Sequence, residues 1–214
     1  MHVLSDHNSV ISEYLHELRD VELQKDRRHF VQNLETLGTI AGYELSKLLE
    51  YKQVTTTTPL GTAVTPLLTD EMVIATILRA GLPVHRSLCQ LFPAAQPAFI
   101  GAARKPETDG KIEIELSYTA GPKLNDKILV IADTMLATGK SIVETYEALT
   151  KTHGHPKQVY IVAVIASQPG VDYVTKHLPD CEIIACVVDP ELNERSFIVP
   201  GLGDAGDLLY GEKT

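Results

Sequence analysis

The 214-residue chain carries a formal charge of −9, with 44% hydrophobic and 22% charged residues. That balance belongs to a globular chain large enough for one α/β domain, and its negative field excludes general nucleic-acid binding unless a basic patch is gathered locally. A small polyanion stays within reach, because a few cations and aligned backbone N–H groups at one place outweigh distant charge.

The N-terminal segment puts charges where a secretory signal needs its apolar stretch, and no apolar run approaches the roughly 20 residues of a membrane helix. A cytoplasmic protein with no membrane and no nucleic-acid partner is expected. Residues 8–50 read as two amphipathic helices: Val10, Ile11, Tyr14, Leu15 and Leu18 recur at helical spacing, then Phe30, Val31, Leu34, Leu37, Ile40, Ala41 and Leu45 do so again. They form a dimer surface, a cover for a sheet, or ordinary core packing.

The β-branched stretch VTTTT at residues 54–58 ends at Pro59 and predicts a strand near a sheet edge. Apolar runs then recur at residues 72–78, 98–102, 128–132, 159–166 and 183–188, with helical patterns at 84–91, 141–153 and 171–177. Strands apolar on both faces and alternating with helices predict a mostly parallel sheet covered on two sides. Residues 111–118, KIEIELSY, alternate instead and follow Asp109-Gly110, which predicts an exposed two-stranded arm. Cys89, Cys181 and Cys186 lack CxxC spacing and read as small buried hydrophobes, and His153-Gly154-His155 as a surface connection. No long linker or repeat divides the chain, so a single domain over residues 1–214 is expected.

In a mostly parallel sheet, ligands sit beyond the carboxyl ends of the strands. Arg79 follows the run 72–78, Arg104 and Lys105 follow 98–102, and Asp133 follows 128–132. Each alone is an ordinary solvated side chain or turn opener. Gathered at one edge, they point to an anionic ligand.

Residues 132–141 read ADTMLATGKS. The last four match the end of the P-loop signature GxxxxGK[ST], but the first glycine of that signature would fall on Thr134. Ala137, Thr138 and Gly139 are small enough for backbone N–H groups to close on a phosphate, and Ser141 opens a helix whose dipole favours an anion. The stretch after residue 132 reads as a loop that suits one monophosphate; a triphosphate cradle requires the longer glycine-hinged loop. Asp133, just ahead of it, is placed to accept hydrogen bonds from ribose hydroxyls, each contributing about 1.5–3 kcal/mol. Phosphate and ribose together make half a nucleotide.

ILVIADTMLATGKS resembles the phosphoribosyl-pyrophosphate (PRPP) signature of type I phosphoribosyltransferases, in the form found in the uracil phosphoribosyltransferase family. The likeness extends through Ile77-Leu-Arg-Ala-Gly81, Leu192-Asn-Glu194 and the glycine-rich IVPGLGDAGD that starts at Ile198, and covers the chain from about residue 20 onward. Thr134 stands where the family form has Pro, and Lys140 where it has a second Gly. In IVPGLGDAGD, Gly201, Gly203 and Gly206 let backbone approach a flat ligand while Asp204 supplies a charge.

The resemblance implies an α/β fold with a mostly parallel central sheet, helices on both faces, N-terminal helices and a β-arm. It also implies transfer of phosphoribose from PRPP to uracil, giving UMP and pyrophosphate, with Mg²⁺ held chiefly by PRPP and no metal site built from side chains. Asp133, Thr134, Met135, Leu136, Ala137, Thr138, Gly139, Lys140 and Ser141 would hold the ribose 5-phosphate. Arg79 and Arg104 would contact the pyrophosphate, under an arm at residues 111–118. Ile198, Gly203 and Ala205 would read uracil through their backbones, and Asp204 beside them would act towards PRPP or its metal and water shell. Asp204, Arg79 and Arg104 make up the expected catalytic set. A homodimer or larger homo-oligomer is implied; activation by GTP is left open. The competing readings are a regulator of the same fold that binds nucleotide and RNA, and a P-loop nucleotide kinase suggested by TGKS alone.

Overall fold

The computed structural model describes residues 1–106 and 112–212, and the side chains outside residues 102–117. The chain opens with strand β1 (His2–Val3) and helices α1 (Ile11–Arg19) and α2 (Arg27–Ser46). The Asp26 carboxylate starts α2 by accepting from the N–H groups of Arg28 and His29 at 3.0 and 3.1 Å. A hairpin of β2 (Tyr51–Thr58) and β3 (Gly61–Leu68) follows. Strands and helices then alternate through β4 (Met72–Leu78), α3 (Leu82–Leu91), β5 (Gln96–Pro106), β6 (Ile112–Ala120), β7 (Ile128–Leu136), α4 (Lys140–His153), β8 (Gln158–Ser167), α5 (Gln168–His177) and β9 (Glu182–Asp189). A short ribbon, β10 (Glu191–Leu192) with β11 (Ile198–Val199), and helix α6 (Ala205–Tyr210) complete the described chain.

The main sheet has seven strands in the order β1-β9-β8-β7-β4-β5-β6. All neighbours run parallel except β5 and β6, which are antiparallel. Alternate residues of the central strands feed two cores. Ile74, Val130 and Val162 pack beneath α1, α2 and α3, while Ala75, Ile131 and Ala163 pack against α4 and α5. Central strands covered on both faces must be apolar on both, which is why β4 and β8 are almost wholly buried.

The connection β4-α3-β5 winds towards one sheet edge and β7-α4-β8 towards the other. Strands β4 and β7, although adjacent, therefore diverge at their carboxyl ends. This is the switch point where open α/β sheets leave a crevice for ligand.

Three expectations are corrected. Residues 54–58 do not lie at the edge of the main sheet: β2 pairs with β3 alone, in a separate hairpin that is exposed along nearly all its length. Strand β5 does not end at Ala102, because β6 pairs with it through Pro106 opposite Ile112, so Arg104 and Lys105 stand within a strand. Strand β7 does not end at Ala132 either. Met135 and Leu136 still pair with Ile165 and Ala166 of β8, so the segment from Asp133 to Leu136 is strand, and the loop is only Ala137, Thr138 and Gly139.

Candidate active site

Three segments close around one cavity at the switch point. The first is the end of β4, where Leu78, Arg79 and Ala80 line the wall and the Leu78–Arg79 peptide is cis. The Arg79 guanidinium lies along the C-terminal segment: Nη2 donates to the Gly211 carbonyl at 3.4 Å, Asp207 Oδ1 is 4.0 Å away, and the Tyr210 ring centroid is 5.5 Å from the guanidinium carbon. Burial pushes the Tyr210 phenol up, with the Arg79 cation pulling the other way.

The second segment is β7 with its loop. Asp133, Met135, Leu136, Ala137, Thr138 and Gly139 line the cavity, followed by Ser141 and Ile142 from the first turn of α4. Gly139 has φ +74°, and a Cβ there would stand 2.7 Å from the Gly170 carbonyl oxygen, so both conformation and space demand glycine. The loop is fixed from behind by Ser167, whose hydroxyl donates to the Ala137 carbonyl at 2.5 Å and accepts from Gly170 N–H at 2.9 Å. The first turn of α4 thus borders the cavity through Ser141 and Ile142, and a helix start at that place attracts an anion.

The third segment is the C-terminal turn. Asn193 Oδ1 accepts from the N–H groups of Arg195 and Phe197 at 2.9 and 3.0 Å, shaping the ribbon that brings Ser196, Phe197 and Ile198 to the cavity. After the cis Val199–Pro200 peptide the chain turns through Gly201 and returns to the cavity at Gly203, Asp204, Ala205 and Gly206. Asp204 also starts α6, its Oδ1 accepting from Asp207 N–H at 3.1 Å.

The structure brings together most of the residues expected of the site. Thr134 and Lys140 are exceptions. Thr134 points away from the cavity and is fully buried; its hydroxyl donates to the Ala80 carbonyl at 2.6 Å and its N–H to Asp133 Oδ1 at 2.7 Å. Lys140 is an exposed first residue of α4 with no left-handed strain, because Gly139 takes the positive φ. The arm expected at residues 111–118 is, from Ile112 on, the edge strand β6 paired antiparallel with β5, while its side chains up to residue 117 and those of Arg104 and Lys105 lie outside the described residues. Sequence reasoning missed Ser196 and Phe197. The signal was an aromatic residue directly ahead of the glycine-rich segment.

The sequence matches the family described as "Uracil phosphoribosyltransferase" over residues 4–212. The chain belongs to the uracil phosphoribosyltransferase family. A uracil phosphoribosyltransferase of Porphyromonas gingivalis is 44% identical over 214 residues, covering 100% of this chain and 98% of the relative. One of Methanothermobacter thermautotrophicus is 39% identical, covering 88% of this chain and 86% of its own length. A solved structure of a protein from Aquifex aeolicus aligns at a TM-score of 0.85 and 32% identity, covering 96% of each chain. For a uracil phosphoribosyltransferase fold, the convergence of the Arg79, Asp133 and Asp204 segments identifies the cavity as its candidate active site.

Proposed function

We propose that this chain, as a single domain, transfers the 5-phosphoribosyl group of PRPP to uracil, giving UMP and pyrophosphate. The observation that carries the reading is the meeting of a phosphate loop, a strand-end carboxylate and a glycine-rich turn on one cavity. The ribose 5-phosphate sits on the loop from Ala137 to Gly139 and the first turn of α4, held by backbone N–H groups and the helix dipole. Asp133 accepts from the ribose hydroxyls. Uracil lies against Ile198, Gly203 and Ala205, read by backbone N–H and C=O groups. Thr134 serves as a support rather than a ligand, and the exposed Lys140 is a supplement near the phosphate.

In the reaction the bond from the ribose anomeric carbon to the pyrophosphate oxygen breaks, a bond to uracil N1 forms, and the N1 proton is released. The ribose becomes oxocarbenium-like as negative charge grows on the departing oxygens. Cations that meet that charge stabilise the transition state more than the ground state, and this is the role assigned to Arg79 and Arg104. Asp204, also on the cavity lining, acts towards PRPP or its metal and water shell.

Among the described residues no group of three or more His, Cys, Asp or Glu is gathered to hold a metal ion, while Asp133 and Asp204 both line the cavity. That donor set fits Mg²⁺ brought in on phosphate oxygens and met by one or two carboxylates. When bound, Mg²⁺ neutralises charge on the leaving pyrophosphate.

A cytoplasmic location is supported by three free cysteines, and among the described residues no helix is long and apolar enough to cross a membrane. A homo-oligomer is supported by exposed apolar side chains on the β2–β3 hairpin, where Leu60 is 99% and Val64 65% exposed. The function is tested by following pyrophosphate release from PRPP and Mg²⁺. Release that requires uracil and is matched by UMP supports it, and release without uracil contradicts it.

A further inference from the structure

We infer that Arg19 and Asp189, neither of which lines the cavity, are positioning residues that hold the uracil-reading turn and so set the affinity for uracil. The inference rests on the assignment of uracil to the turn at Ile198, Gly203 and Ala205.

Arg19 ends α1 and Asp189 ends β9, so two elements remote in sequence meet behind the turn. Their contact is a two-pronged fork: Arg19 Nη2 donates to Asp189 Oδ1 at 2.7 Å and Nη1 to Oδ2 at 3.0 Å. The same pair then captures both polar backbone groups of Gly201. Gly201 N–H donates to Asp189 Oδ2 at 2.9 Å, and Gly201 C=O accepts from Arg19 Nη1 at 3.2 Å.

Gly201 is where the turn doubles back. Its φ is +57°, and a Cβ there would stand 2.2 Å from the Ile198 carbonyl oxygen. Ile198 on one side of Gly201 and Gly203 on the other both line the cavity. A shift of Gly201 therefore carries both groups that read the base. The side chains of the pair are 23% and 6% exposed. An ion pair that far from water is weak evidence for stability, since desolvation offsets much of its attraction, whereas its fixed geometry specifies where the turn lies. The phosphate loop is fixed by different side-chain bonds, through Ser167 and Gly170, although Ser167 is the cross-strand neighbour of Asp189 in the β8–β9 pairing. The side-chain bonds that hold the uracil and PRPP sites are thus different ones, and removing those of Arg19 and Asp189 while the β8–β9 backbone pairing stays should separate the two affinities.

The test is steady-state kinetics with the full chain, varying uracil at saturating PRPP and PRPP at saturating uracil. Arg19→Ala is expected to raise the uracil KM by on the order of tenfold or more with the PRPP KM changed by less than about twofold, and millimolar guanidinium ion to reverse the rise in part. Asp189→Asn, which keeps the shape but sets an amide N–H₂ against donors, should give the same selective loss. If Arg19→Ala does not fold, Arg19→Lys carries the test, because one ammonium keeps the charge without the fork. Uracil and PRPP KM values that rise together, or that both stay unchanged, overturn the inference. A wild-type protein that makes no UMP from uracil overturns the proposed function instead.

Discussion

The Thr134 hydroxyl donates to the Ala80 carbonyl at 2.6 Å, so the strand that carries Asp133 is tied directly to the turn that carries Arg79. Thr134 is fully buried, and its N–H donates to the Asp133 carboxylate. One side chain facing away from the cavity thereby sets the relation between two that face it. Thr134→Val keeps the shape and leaves the Ala80 carbonyl without this donor. The expected cost is about 1–3 kcal/mol, each kcal/mol lowering the melting temperature by about 2–4 °C in a chain of this size. The PRPP KM should rise as well. A melting curve that superimposes on that of the wild type would show that the bond contributes nothing.

Gly139→Ala meets two obstacles, a left-handed φ of +74° and the Gly170 carbonyl oxygen 2.7 Å from the new Cβ. The conformation alone costs about 1–2 kcal/mol, and relieving the contact must move the phosphate loop off α5. Urea denaturation should show the loss in stability, and PRPP titration a weakening on the order of tenfold or more. Unaltered PRPP affinity would remove the loop from the binding site.

Much of this arrangement is legible in the sequence. Residues 72–78 and 159–166 are apolar on both faces because they are central parallel strands, and the switch point follows from the alternation with helices. The β2–β3 hairpin is half legible: VTTTT announces β2, but β3 contains Pro66 and is exposed on both faces, so it shows no alternation to read. The continuation of β7 past Ala132 is hidden, since Asp133 and Thr134 resemble turn residues and only pairing with β8 keeps the next residues in the sheet. Arg19 and Asp189 stand 170 residues apart, and no local pattern joins them.

Lys140 gives the loop its resemblance to a P-loop, yet its side chain is exposed at the first position of α4. Lys140→Gly should change PRPP affinity by no more than about 1 kcal/mol, the scale of an exposed charge. In a P-loop the lysine reaches the β and γ phosphates and its removal abolishes nucleotide binding. Titrating both proteins with PRPP and with ATP distinguishes the cases. Tight ATP binding that vanishes in the variant would favour a kinase.

Buried His85 meets the Phe99 ring at a tilt of 53°, and its Nε2 lies 3.0 Å from the Ile74 carbonyl, so the neutral ring donates there. Burial lowers its pKa below the ordinary 6.5, the Ile74 bond opposing in part. The folded state therefore binds this proton less readily than the unfolded state. Its contribution to stability is complete above pH 6.5 and is lost as the pH falls below it, towards the folded pKa. His85→Gln, which keeps an N–H donor and does not titrate, should show a smaller loss of urea stability than the wild type between about pH 7.5 and about pH 5.5. Parallel losses would show that other groups carry the acid sensitivity.

Discrimination between free bases bears most directly on the assignment of the cavity. Uracil presents acceptor, donor and acceptor along its O2, N3 and O4 edge, whereas cytosine presents an acceptor at N3 and a donor amine. On the proposed assignment, backbone groups at Ile198, Gly203 and Ala205 pair with the first pattern and are left unpaired or opposed by the second, which is worth about 10⁴ or more in kcat/KM. The measurement is kcat/KM for uracil and for cytosine with PRPP and Mg²⁺ in excess, read as nucleotide formed. UMP formation from uracil exceeding CMP formation from cytosine by about that factor is the expected result. Comparable values for the two bases, or nucleotide formed from a purine instead, would contradict it.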